Sequence, residues 1–155
     1  MSFKTIKEVV CEYSQPIRIS AVRFVADDGN ESSLYVNIRF FKVENNTERP
    51  TKNGICFTMS EFNDYMTRIV IILSSLQGDD TYTSFEEEMN GRKFSFEMGR
   101  MNFSMQIVKP EGRAQRIFGP NAALKAIVDK RRDVFVRDEP EEREKAEVIE
   151  IITYL

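Results

Sequence analysis

The stretch from Arg92 to Gln106 limits what this chain can become more than any other, because apolar and polar residues alternate strictly on both sides of Gly99-Arg100. Period-two alternation sends successive side chains to opposite faces of a strand, and a two-residue loop opened by glycine returns the chain antiparallel. The expected register sets Met98 opposite Met101, Phe96 opposite Phe103 and Phe94 opposite Met105, gathering these apolar side chains on one face. Lys93, Ser95, Glu97, Asn102, Ser104 and Gln106 fall on the other. The sheet that holds this hairpin therefore has one greasy side and one wet side.

The same logic organises the rest. Ile17 to Ala26 is β-branched and aromatic and ends in the turn signal Asp27-Asp28-Gly29-Asn30. Ser33 to Val43 alternates, with Leu34, Val36, Ile38 and Phe40 inward and Tyr35, Asn37, Arg39 and Phe41 outward. Ile55, Phe57 and Met59 form the inner face of a third strand, after which Ser60 is expected to cap a helix that carries Phe62, Tyr65, Met66, Ile69, Val70, Leu73 and Leu76 and ends at Gly78. Ile71 and Ile72 widen its apolar stripe enough to suggest burial on two sides, by a second sheet or a second copy. In the second half, Gly112 to Phe118 reads as a strand and Gly119-Pro120 opens a helix with Leu124, Ile127, Val128 and Phe135 inward. Phe3 to Tyr13 allows helix or strand.

Strands followed by a helix thus occur twice. The expected fold class is α+β, with two antiparallel β-sheets each followed by a helix. Residues 1–137 then form a single domain of two strand-helix halves, 1–78 and 79–137, and 138–155 form an acidic linker with an amphipathic C-terminal segment read as helix.

Chemistry narrows next. The chain has no histidine, so no side chain titrates near neutrality without a large shift, and no phosphate-binding glycine loop, calcium loop or paired-carboxylate spacing is present. An enzyme is not expected, and no cofactor or metal is implied. Cys11 and Cys56 are too few for a disulfide framework and read as reduced thiols. No apolar run approaches membrane-spanning length and no secretory leader is visible, so the expectation is an intracellular protein, nuclear or cytoplasmic, with no membrane partner.

The charge is unevenly spread. Residues 91–137 hold eleven Lys/Arg against four Asp/Glu, whereas residues 1–90 and 138–155 are each net acidic. A basic block of that density suits a polyanion surface, and the acidic tail could compete for it.

Lys52-Asn53-Gly54-Ile55 followed by Ser60-Glu61-Phe62 resembles the transcriptional coactivator family of positive cofactor four, with Arg39-Phe40-Phe41-Lys42 where that family carries strand aromatics and Arg49 and Lys52 where its loop is basic. The doubled plan also resembles the Pur proteins and, more distantly, the Whirly proteins. These resemblances imply single-stranded DNA or RNA as partner and a homodimer. Binding of single strands needs cations for phosphates and exposed rings for bases. The candidates are Tyr35, Arg39 and Phe41 on one strand face with Arg18, Lys42, Arg49 and Lys52 nearby, and Lys93, Arg100, Lys109, Arg113 and Arg116 in the basic half. The alternative is a dimeric structural or regulatory adaptor that binds protein partners.

Overall fold

In the computed structural model, which describes residues 2–75 and 82–136, four strands lead into a helix and four more lead into a second. The first set is β1 (Ser2–Val10), β2 (Ile17–Val25), β3 (Tyr35–Glu44) and β4 (Thr47–Thr58), followed by α1 (Met59–Ser75). The second is β5 (Thr83–Met89), β6 (Arg92–Met98), β7 (Asn102–Val108) and β8 (Ala114–Pro120), followed by α2 (Asn121–Lys130) and a 3-10 turn, Arg131–Val134. Phe3 to Tyr13 therefore contributes an edge strand. Leu76, Gly78 and the segment 138–155 lie outside the described residues.

All eight strands belong to one antiparallel sheet in the order β1-β2-β3-β4-β8-β7-β6-β5, which overturns the expectation of two sheets. The join is made between β4 and β8, where the ladder consists of the one pair Gly54 and Arg116. On either side of that pair, side chains take over from backbone. The Asn53 amide accepts from Phe118 N at 3.0 Å and donates to Phe118 O at 2.9 Å. Gln115 Oε1 accepts from Cys56 N at 2.7 Å, and an Arg92 Nη donates to Cys56 O at 2.7 Å. Inner backbone groups must be hydrogen-bonded, and here three side chains complete what the strands leave undone.

The buried face explains why the halves fuse. Val36, Ile38 and Phe40 of β3, Phe57 of β4, and Phe94, Phe96 and Met105 of the second half belong to one buried cluster with both helices. Tyr65 on α1 stacks on Phe94 of β6 at 3.8 Å between ring centroids and 10° between planes, and Phe57 packs against both. A helix from the first half thus lies on a strand of the second, so two separate sheets would each leave an apolar row in water.

Two local expectations are also corrected. The hairpin pairs Met98 with Phe103, Phe96 with Met105 and Phe94 with Ile107, two residues away from the expected register. A slip of two preserves every face. Only Met101 changes sides, moving into the loop with 74% of its surface exposed. The cause is Asn121 at the start of α2, whose amide donates to Gly99 O at 3.0 Å and Arg100 O at 3.1 Å while its backbone N–H donates to Met101 O. At α1, the cap is a reciprocal box rather than Ser60: Thr58 Oγ1 accepts from Glu61 N at 3.2 Å, and Glu61 Oε1 accepts from Thr58 N at 2.7 Å. That role places the Glu61 carboxylate fully inside, with Arg92 Nε 3.5 Å from Oε2. Ile71 is 62% exposed, so the described part of the fold covers α1 on one side only.

The Tyr65 hydroxyl is buried without a hydrogen-bond partner. Burial pushes its pKa up to about 12, and Glu61, Glu87 and Asp64 push in the same direction. The native state therefore favours the neutral phenol, so this contribution to stability is intact below pH ~10 and is lost as pH rises from ~10 to ~12. Tyr65→Phe should be neutral or slightly stabilising at pH 7. Between pH ~10 and ~12 the wild type should lose ~2–3 kcal/mol relative to it, as read by urea unfolding at each pH. Parallel pH profiles for the two proteins would refute this.

Candidate nucleic-acid interface

Burying one face of the sheet leaves the alternate side chains on a face that neither helix covers. Across its centre, Arg18 on β2 pairs with Arg39 on β3, Arg39 with Gly54 on β4, and Gly54 with Arg116 on β8. Gly54 makes this row possible. A Cβ there would lie 2.4 Å from Arg39 Cζ, so the guanidinium occupies space that only glycine leaves open. Arg39 is anchored by donating to Thr51 O at 2.6 Å. Its Cα and that of Arg116 are two strand spacings apart, ~10 Å.

Each end of the row carries a ring. Arg18 Cζ sits 4.5 Å from the centroid of Phe41, and Arg116 Cζ sits 4.9 Å from that of Phe118, which is 51% exposed. Such contacts hold a guanidinium without neutralising it. Ion pairs then sort the cations. Arg18 is paired with Glu8 at 3.3 Å and with Glu48, Lys42 with Glu44 at 2.9 Å, Arg49 with Glu44 at 3.9 Å, and Lys93 with Glu86 at 3.3 Å. Among the described residues, Arg39, Lys52 and Arg116 have no carboxylate partner.

The structure thus brings together Arg18, Arg39, Phe41 and Arg116, with Lys52 beside them. Tyr35 lies at the far end of β3, half-buried and edge-on to Phe24 at 5.1 Å. Lys42 and Arg49 sit at the β3–β4 hairpin tip, and Lys93 is two strands beyond β8. Arg100 and the pair Lys109 and Arg113 flank opposite ends of β7 and stand apart from the row. The basic block is divided further, because Lys125, Lys130, Arg131 and Arg132 belong to α2 and the turn after it, on the covered side of the sheet.

Phe118 was legible in the sequence. Arg116-Ile117-Phe118 repeats the pattern of Arg39-Phe40-Phe41, a cation and a ring two positions apart around a core residue. Phe24, Ser20 and Gln115 carry no such signal, and only the assembled sheet brings them to the same place.

Two grooves flank the join. One, about 780 Å³, is lined by Phe3, Phe24, Asn37, Arg39, Phe41 and Lys52 among others, and the second, about 570 Å³, by Tyr82, Ser104, Arg116 and Phe118 among others. Cys56 lines the first; burial pushes its thiol up to about 11, which leaves it neutral at physiological pH. Among the described residues no group of His, Cys, Asp or Glu could hold a metal ion, and no helix is long and apolar enough to cross a membrane. What the face offers is guanidinium groups of which Arg39 and Arg116 have no carboxylate partner among the described residues, exposed ring surface and polar amides, with Glu8 and Glu97 at the margins of the two grooves. Compared with known proteins, the chain matches no protein-family model, and no curated protein resembles it in sequence.

Proposed function

We propose that this protein binds single-stranded nucleic acid across the open face of its sheet and acts without catalysis of its own. The observation that carries the reading is the placement of Arg39 and Arg116, which among the described residues have no carboxylate partner, beside Phe41 and Phe118 on a face that neither α1 nor α2 covers. Guanidinium groups pair with phosphate, and rings stack on splayed bases at ~1–3 kcal/mol each. A duplex keeps its bases stacked and out of reach of such rings, so the face favours unpaired strands. Arg18, Lys42, Arg49 and Lys93 are already compensated by carboxylates. On the row and beside it Arg39, Lys52 and Arg116 then remain for phosphates, Arg100, Lys109 and Arg113 standing apart, and with ~0.7 ion released per contact the slope of log K against log salt should be about −2.

Fluorescence anisotropy tests this with a labelled single strand and its duplex between ~50 and ~300 mM salt. The single strand should bind more tightly with that slope, and Phe118→Ala should weaken it roughly tenfold. Equal affinity for duplex would overturn the reading. Absence of binding would leave the adaptor that holds a protein partner.

A further inference from the structure

Resting on that reading, we infer that the groove beside Arg39 is a base-reading pocket: one unpaired base of the bound strand enters it, stacks on its phenylalanine wall and is hydrogen-bonded along its edge by Asn37 and Ser20. The register places Glu8, Ser20, Asn37 and Cys56 side by side on β1, β2, β3 and β4, one row from the arginines. Most of this row is already engaged. Arg18 holds Glu8 at 3.3 Å, while Gln115 and Arg92 satisfy both backbone groups of Cys56. Asn37 and Ser20 are the exceptions. Neither side chain makes a hydrogen bond to any described residue, although Asn37 is half-buried and Ser20 only 8% exposed.

Their polar atoms are not among the buried unpartnered ones, so they face the open groove, where an amide with two donors and an acceptor beside a hydroxyl can exchange water for the edge of a guest. The guest's shape follows from the walls. Phe3, Phe24 and Phe41 line the same groove of about 780 Å³, so the occupant must present flat apolar faces to rings and an adjacent donor and acceptor to Asn37. A nucleobase has both, and Lys52 and Arg39 beside it are placed to meet the phosphates that flank the base.

The test compares short strands of oligo(dT), oligo(dA) and oligo(dC) with an abasic strand of equal length, using wild type, Asn37→Ala and the isosteric Asn37→Asp. Wild type should prefer its best base over the abasic strand by about tenfold. Asn37→Ala should bring the three base compositions to within about twofold of one another, and Asn37→Asp should change their order. Asn37→Ala should keep the wild-type salt slope and the wild-type affinity for the abasic strand, which also reports that it is folded, whereas the new carboxylate of Asn37→Asp, one row from Arg39, should weaken binding of every strand. Equal binding of base-bearing and abasic strands by wild type overturns the pocket, as does an unchanged base preference in Asn37→Ala. Those results leave strand binding itself standing, whereas failure to bind any strand overturns both.

Discussion

Replacing Arg92 with methionine is expected to remove about 3–5 kcal/mol of folding stability, a large share of the ~5–15 kcal/mol available to a domain. The Glu61 carboxylate is fully buried and the Arg92 side chain is 16% exposed, so neither charge has water to fall back on. Arg92 also donates to Cys56 O at the join between β4 and β8. Methionine keeps the apolar stem but leaves a buried anion and an unpaired carbonyl. Glu61→Gln in the same background should recover much of the loss, because glutamine Oε1 can still accept from Thr58 N and brings no charge inside. Urea unfolding of wild type, R92M and R92M/E61Q measures both steps. A loss below ~1 kcal/mol for R92M would show that the pair contributes little.

The second large effect concerns binding. Arg39→Ala with Arg116→Ala should lower single-strand affinity by more than ~100-fold, since each charged hydrogen bond is worth ~1.5–3 kcal/mol. Gly54→Ala tests the same site without replacing either arginine. The new Cβ would lie 2.4 Å from Arg39 Cζ, and the group that must yield is the far end of a flexible side chain on the open face. The guanidinium should swing away from its station on Thr51 while the backbone stays. Alanine also stiffens the unfolded chain by ~0.4–1 kcal/mol, which offsets the lost hydrogen bond. The expected outcome is an affinity close to that of Arg39→Ala with a Tm within a few degrees of wild type. Wild-type affinity in G54A would remove Arg39 from the binding face.

The faces of the strands could be read from the chain because side-chain parity is insensitive to modest error. A slip of two in the hairpin displaced Met101 and left Phe94, Phe96, Phe103 and Met105 inside. What could not be read was the joining of the halves. Besides the shared core, it rests on one backbone pair and on Asn53, Gln115 and Arg92, single polar side chains bonded to backbone far away in sequence, and such clamps have no period. The candidate site was legible in part for a related reason. Arg39, Phe41 and Arg116 follow from alternation, but the compensation of Arg18 by Glu8 and Glu48 depends on side chains of β1, β2 and β4 meeting across β3. The count of eleven basic residues in 91–137 was blind to direction, and it pooled cations of α2 with those of β8.

The single rung at Gly54 and Arg116 has a consequence for how firmly the molecule can grip. Taken singly, each half carries one uncompensated guanidinium of the row and its own ring, and so one feeble hold. Held on one scaffold, the second hold follows the first at high effective concentration, and weak contacts add into strong attachment without any further bond. The rung that contributes least to the ladder thus marks the place where a shared core sets two handles side by side for one grasp.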